Sequence, residues 1–157
     1  MARRTASSQS EHDRMIEAWA QIAARRFSGD VVVGTNPGDL RRIQVGPDDD
    51  PRFPDFLGWR AEAGDGRDGT AELVAEIETS DTLAENEVSE WAAYGRLMVP
   101  FHLVAPVGSE EQAIRLWKKR SVRVSRLWSY EIVGGEVIFS HSLESPALSG
   151  TRVVRRD

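Results

Sequence analysis

The sequence predicts an α/β fold with a mixed central sheet, in which an antiparallel meander and a parallel strand are flanked by helices. Residues 11–27 have the apolar spacing of an amphipathic helix, and several shorter segments after them have the composition of strands. FHLVA at 101–105 is nearly all apolar, which is typical of a strand buried on both faces. The chain has 157 residues, 40% of them hydrophobic, which is sufficient for one such domain.

The first half of the chain predicts a helix followed by a meander. Ser10 can cap a helix from Glu11 to Phe27, so residues 1–10 are expected to be a flexible tail. Three strands are predicted, at 31–33, 54–60 and 72–79. Residues 41–45 are either a further short strand or an irregular edge. Residues 63–70 contain three glycines and predict the turn between the last two strands.

The second half predicts helix, strand, helix and hairpin. Thr82 with Glu85 forms a capping-box pattern for a helix that runs to about residue 98. Ser109 with Gln112 predicts a further helix to about residue 120. Strands are predicted at 101–105, 124–133 and 136–140, the last two joined by a turn at Gly134-Gly135. A single domain is expected over 11–145, with a flexible tail at 146–157.

The composition excludes several classes of site. The chain has no cysteine, which excludes disulfides, thiolate metal sites and cysteine nucleophiles, and fits a reducing compartment such as the cytoplasm. No apolar segment approaches the length of a membrane span, so no membrane association is expected. The three histidines have no recognisable partners at ligand spacing, so neither a histidine metal site nor a Ser-His-Asp triad is predicted.

Acidic residues are concentrated in the middle third of the chain. Residues 48–90 carry fourteen acidic residues against three arginines, a charge of −11, whereas the segments before and after carry +2 and +4. A segment with this charge repels itself unless water solvates it or a cation neutralises it. The charge pattern alone is therefore compatible with a solvated acidic surface or with a metal site.

Three of these acids are predicted to lie on one patch of sheet. A hairpin centred on Gly66-Arg67 would place Asp55 opposite Glu78, with Glu76 two residues away on the same face. Carboxylates roughly 5 Å apart repel one another, and a divalent cation such as Mg²⁺ would remove the repulsion. The alternative is a solvent-facing strand whose acids alternate with apolar residues.

These residues resemble the PD-(D/E)XK nuclease-like, or restriction endonuclease-like, superfamily. The resemblance rests on Pro54-Asp55, on Glu76-Ile77-Glu78 at the end of an apolar strand, and on Thr79-Ser80 after it. It covers about residues 11–106, including the helix with Trp91 and Tyr94 and the FHLVAP segment. It implies a restriction endonuclease-like core and Mg²⁺- or Mn²⁺-dependent hydrolysis of DNA phosphodiester bonds, with Asp55 and Glu76 as metal ligands.

One motif position departs from the family. Glu78 stands where most members have lysine, so the resemblance implies a further ligand or a general base at Glu78 and gives Asp55, Glu76 and Glu78 as the catalytic set. It also implies a metal-proximal glutamate on the first helix, for which Glu17 is the best match and an ordinary surface position is the alternative. The missing lysine leaves open a second function, a catalytically inactive scaffold that serves as a binding or assembly module.

The predicted partner is DNA. A basic segment after the core strand could follow a phosphate backbone, or could be the solvated side of a helix and its exit loop; its residues are Lys118, Lys119, Arg120 and Arg123. A chain of this size has no room for a separate DNA-recognition domain, so a homodimer or a partner protein is expected to complete recognition.

Overall fold

A single six-stranded sheet forms the centre of the structure, a computed structural model that describes residues 5–27, 31–62 and 69–144, the last four as backbone only. The elements, in chain order, are α1 (Ala6–Arg26), β1 (Val31–Thr35), β2 (Phe56–Ala61), β3 (Gly69–Ile77), α2 (Val88–Gly95), β4 (Phe101–Pro106), α3 (Glu110–Lys119), β5 (Arg126–Val133) and β6 (Glu136–Glu144). In the described part of the chain, no helix is long and apolar enough to cross a membrane.

The strands lie in the sheet in the order of the sequence. β1, β2 and β3 form an antiparallel meander, β4 and β5 continue the sheet parallel to β3, and β6 pairs antiparallel with β5. Gly134 and Gly135 have φ values of 59° and 86°, the pair of left-handed conformations that closes a two-residue hairpin between β5 and β6. The predicted α/β fold with a mixed sheet is confirmed.

Helices cover the sheet on both faces because β3 alternates between two apolar environments. Leu73, Ala75 and Ile77 face α1, whereas Val74 faces the core of α2 and α3. The α1 side is filled by Met15, Ile16, Trp19, Phe56, Val104 and Trp128. The opposite side is filled by Trp91, Tyr94, Leu103, Trp117 and Leu127. Glu76 and Glu78 follow Val74 at alternate positions, so they lie on the same face of the strand and both carboxylates point toward α2.

The first helix begins earlier than predicted. It starts at Ala6, and the hydroxyl of Thr5, not Ser10, caps it by accepting a hydrogen bond from the Ser8 amide at 3.1 Å. Residues 6–10, predicted as part of a flexible tail, are therefore helical. Ser8 also donates to the Asp81 carboxylate at 2.6 Å, which ties this first turn to the segment after β3. Residues 1–4 and the predicted tail at 146–157 lie outside the described residues.

The predicted capping box at Thr82 is wrong. The Thr82 hydroxyl donates to Glu78 at 2.6 Å, so it is engaged with the end of β3. Residues 79–87 form turns, and α2 begins at Val88. The predicted helix at 109–120 is observed as α3, although the Ser109 hydroxyl donates to the Pro106 carbonyl at 2.7 Å and makes no capping bond.

The predicted register of the β2–β3 hairpin is also wrong. It would have paired Ala61 with Glu72, whereas Ala61 pairs with Gly69. A bulge between Gly58 and Trp59 reduces this three-residue error to two, so that Phe56 pairs with Ala75 and Asp55 lies level with Glu76 rather than with Glu78. Residues 41–45 form the irregular edge, whose one described β-bridge joins Val45 to Arg52.

Candidate metal centre

Asp55 and Glu76 lie side by side where β2 begins and β3 ends. The Asp55 amide donates to Oε1 of Glu76 at 3.1 Å, and the Ile77 amide donates to Oδ2 of Asp55 at 2.8 Å. Each carboxylate thus accepts a backbone amide from the neighbouring strand end, and the exposed fractions of Asp55 and Glu76 are 8% and 7%. The corrected register brings these two predicted ligands together.

His12 of α1 holds the other side of Asp55. Its Nε2 lies 3.0 Å from Oδ2 of Asp55, and its side chain is fully buried. In the tautomer that carries the proton on Nε2, His12 donates to the carboxylate, which fixes the orientation of Asp55. Oδ1 of Asp55 accepts no hydrogen bond from the described residues and is the oxygen available to a ligand.

Burial and neighbouring negative charge make the ionised form of Glu76 unfavourable in the absence of a cation. Its pKa is raised well above the usual value, first because burial penalises the ionised form and second because the charge of Asp55 lies nearby. Glu90 of α2 adds to the same effect. The centre therefore contains more negative charge than its environment solvates, and a bound proton or a cation would relieve it.

Tyr94 lies beside both Glu76 and Glu90. Its hydroxyl is 3.4 Å from Oε1 of Glu90, and burial and the nearby charge of Glu76 raise the pKa of the phenol. The phenol therefore stays protonated and can donate. The pKa of half-buried Glu90 is raised by burial and by Glu87 and Asp55, while Arg52 lowers it. Arg52 is thus a cation beside the carboxylates, held by Asp50 at 2.7 Å.

Glu78 is enclosed by the protein. One carboxylate oxygen accepts from the Thr82 hydroxyl at 2.6 Å and the other from the Trp91 indole at 2.8 Å. Only 2% of the residue is exposed. Burial raises its pKa to about 8, although the two hydrogen bonds oppose the shift. At neutral pH Glu78 is therefore largely protonated, and a protonated carboxyl whose two oxygens are both hydrogen-bonded is a poor metal ligand.

The residues fit a smaller metal site than the one predicted. Among the described residues, no three histidine or carboxylate side chains are arranged to hold a metal ion together. Thr82 and Trp91 occupy Glu78, which leaves Asp55 and Glu76 as the available pair. Two carboxylates meet the requirement of Mg²⁺, which keeps several waters and takes one or two protein carboxylates.

The other predicted site residues lie elsewhere. Glu17 is exposed on α1, five residues from His12 and about 140° around the helix. Lys119 and Arg120 both contact the Glu85 carboxylate, at 2.8 and 3.5 Å, and Arg123 contacts Met98. None of these residues, nor Lys118, contacts Asp55, Glu76 or Glu78 in the described part of the chain.

Sequence reasoning missed three contributors to the centre. No neighbour at ligand spacing identifies His12, because its partner Asp55 is 43 residues away in the sequence. For Glu90 and Tyr94 the sequence predicts only membership of a helix. Their spacing of four residues puts them on one helical face, which was the available signal.

Comparisons with protein-family models, with curated proteins and with solved structures matched nothing.

Proposed function

We propose that this chain is a divalent-metal-dependent nuclease that hydrolyses DNA phosphodiester bonds and holds Mg²⁺ or Mn²⁺ through Asp55 and Glu76. The observation that carries the proposal is the hydrogen-bonded pair formed by Asp55 and Glu76. Two buried carboxylates are joined by the 3.1 Å bond from the Asp55 amide to Glu76, at adjacent strand ends of a mixed α/β sheet. The resemblance to PD-(D/E)XK nucleases assigns metal ligation to these same two residues.

A cation accounts for the electrostatics better than an isolated proton does. A proton on Glu76 would remove one charge, but Glu90 and its neighbour Glu87 would continue to oppose each other. A divalent ion offsets two charges at once and uses the oxygen ligands that carboxylates provide. Oδ1 of Asp55, which no described residue engages, is the atom we assign to first contact with the ion.

The chain's own residues fix the geometry of the pair. The Ile77 amide donates to Oδ2 of Asp55, as does His12 in the tautomer that carries the proton on Nε2, so this carboxylate has one orientation. The Tyr94 hydroxyl donates its proton to Glu90 at 3.4 Å. When bound, the metal would polarise the phosphodiester and lower the pKa of an attacking water.

Glu78 takes neither of the roles that the resemblance implied. With a pKa of about 8 and both oxygens bonded, it is a buried acid that holds Thr82 and Trp91 in place. The positive charge that lysine supplies in the family is assigned instead to Arg52, whose charge already acts on Glu90.

The test is a cleavage assay on supercoiled plasmid, single-stranded DNA and RNA in Mg²⁺ and in Mn²⁺. Wild type should convert a DNA substrate, and Glu76→Gln should abolish conversion because the amide cannot replace an anionic ligand. Glu72→Gln is the matched control, since Glu72 lies on the same strand but pairs with Arg60 at 3.1 Å. Equal cleavage by Glu76→Gln and Glu72→Gln would rule out the assignment.

A second candidate is a catalytically inactive scaffold that binds a metal or a partner. It is favoured by the enclosure of Glu78 and by the position of the two lysines of the chain, Lys118 and Lys119, at the end of α3. Titration calorimetry with Mn²⁺ separates the possibilities. Heat that Glu76→Gln abolishes, without cleavage by wild type, would identify a metal-binding module and not a nuclease.

A further inference from the structure

A depression of about 430 Å³ lies between the ends of α2 and α3. Three exposed guanidinium groups line it, those of Arg96, Arg120 and Arg123, together with Ser121; we call it the arginine depression. Its volume lies within the range of about 300 to 1,000 Å³ that is usual for ligand sites. The four residues come from two segments that are far apart in the chain.

The arginine depression has a large excess of positive charge. Arg120 lies 3.5 Å from Glu85, but that carboxylate is shared with Lys119 at 2.8 Å. Arg96 and Arg123 have no ion-pair partner among the described residues. Three guanidiniums therefore face at most one shared carboxylate, and guanidinium is the cation whose fork of donors matches the oxygens of a phosphate.

The backbone around the depression is held in an uncommon conformation. Met98 and Ser121, both lining residues, have φ values of 60° and 51°, and they are the two described non-glycine residues with positive φ. Gly95 lies so close to Arg123 that an added Cβ would be 3.1 Å from its amide nitrogen and its carbonyl oxygen. The end of α2 is thus packed directly against the segment that follows α3, which holds the backbone of Arg96 close to that of Arg123.

The acidic centre and the depression both include residues of α2 and its end. Glu90 lies in α2 and Arg96 is the C-cap residue of the helix, six residues later and about 9 Å along the helix axis. A nucleic-acid strand advances about 3.4 Å for each nucleotide. A strand with one phosphate at the acidic centre would therefore place another at the arginine depression within a few nucleotides.

We propose that the arginine depression binds the phosphate backbone of the nucleic-acid strand, through Arg96 and Arg123 with a contribution from Arg120. The inference rests on the proposed nuclease function and sharpens it. Of the four predicted contacts, the proposal keeps Arg120 and Arg123 and adds Arg96, because these three arginines line the depression and Lys118 and Lys119 do not. The contacts are to phosphate, so they hold the strand without reading its sequence.

The experiment is fluorescence anisotropy with a labelled single-stranded oligonucleotide and a labelled duplex in EDTA, where no cleavage occurs. The double variant Arg96→Ala/Arg123→Ala should raise Kd by at least tenfold at about 50 mM salt and lower the salt slope by about 2, one per lost phosphate contact. Arg96→Lys/Arg123→Lys should restore most of the slope. Arg25→Ala, at an exposed position on α1, is the control for loss of a positive charge away from the depression and should leave the slope unchanged.

Unchanged affinity and slope in the double alanine variant, with its fold verified by circular dichroism, would overturn the inference. An equal loss of affinity for labelled oligo-glutamate would also overturn it, because the depression would then be a general anion site. Since binding is measured without metal, the result is separable from cleavage. Loss of binding by the arginine variants in a chain that never cleaves would leave this inference standing and remove only the proposed nuclease activity.

Discussion

At the scale of single residues, the end of β3 separates two glutamates that the sequence presents as equivalent. Glu76 and Glu78 have the same parity and differ by two positions, yet Glu76 contacts the Asp55 amide whereas Glu78 contacts Thr82 and Trp91. The difference arises because the turn after β3 brings the Thr82 hydroxyl to Glu78 and α2 brings the Trp91 indole. One position therefore stays available to a ligand, and the other becomes part of the core.

Glu78 should make stability depend on pH. A carboxyl whose pKa is raised on folding, here from 4.5 to about 8, binds its proton more tightly in the folded state. The contribution of Glu78 to the free energy of unfolding is therefore complete below its pKa in the unfolded chain. It is lost as the pH rises through its pKa in the folded protein. The free energy of unfolding, measured by urea denaturation, should fall between about pH 5 and 8, more steeply in wild type than in Glu78→Gln by up to about 1.4 kcal/mol per pH unit.

The amide of Glu78→Gln can still accept from Trp91 and donate toward Thr82, so the variant mimics the protonated acid and is expected to fold. Burial also raises the pKa values of Glu76 and Glu90, which make the free energy of unfolding depend on pH in both proteins. The contribution of Glu78 is therefore the difference in slope between wild type and Glu78→Gln. Parallel pH profiles for the two proteins would show that Glu78 is ionised in the folded state at neutral pH.

His12 should act on metal affinity through Asp55. His12→Phe keeps a ring in the buried position and removes the 3.0 Å hydrogen bond, so the Asp55 carboxylate loses its fixed orientation. Loss of such a supporting partner typically weakens metal binding about 10- to 100-fold. Calorimetry with Mn²⁺ should show this increase in Kd, whereas Glu17→Gln, an exposed change on the same helix, should leave Kd unchanged. The reverse pattern would restore Glu17 as the helix ligand.

At the scale of helices and strands, the local signals predicted the elements, and tertiary contacts decided their ends and their pairing. The order of elements follows from apolar patterns, and β4, β5 and β6 begin within two residues of their predicted starts. The register of β2 and β3 could not be predicted because a bulge and a turn length both shift it. Thr82 has the sequence of a cap, but a buried carboxylate competes for its hydroxyl.

The end of α3 offers a test of backbone conformation. Ser121 follows the C-cap residue Arg120 with a φ of 51°, a conformation that costs an L-residue about 1–2 kcal/mol and glycine little. Ser121→Gly should therefore raise the free energy of unfolding by about 0.5–1 kcal/mol, after the entropy of glycine in the unfolded chain is subtracted. Chemical denaturation measures the change.

The neighbouring residue provides the control for that change. Arg120 has a φ of −109°, which any residue adopts, so Arg120→Gly gains nothing in the folded state and should lower the free energy of unfolding. If Ser121→Gly lowered stability as much as Arg120→Gly, contacts of the serine side chain and not the backbone would determine the effect.

At the scale of the whole molecule, the fold brings the acidic middle third of the chain between its two basic flanks. Asp55, Glu76 and Glu90 come from the start of β2, from β3 and from α2, and His12 comes from α1. The arginines come from the end of α2 and from the segment that begins at the end of α3. Asp55 and Glu76 are buried, Glu90 is half-buried and the arginines are exposed. This arrangement suits a site in which a small cation binds inside and a polyanion binds across the surface.

The final prediction concerns the stability of the whole domain in the presence of metal. A ligand that binds only the folded state stabilises it by about 2.7 kcal/mol at a concentration of 100 times Kd. Mn²⁺ or Mg²⁺ should therefore raise the melting temperature of wild type and of Glu72→Gln, but not that of Glu76→Gln. Because binding requires Glu76 to lose the proton that burial and Asp55 favour, the increase should grow as the pH rises from about 6 to 8. An increase that is independent of pH, or one that Glu76→Gln retains, would place the ion away from the Asp55–Glu76 pair.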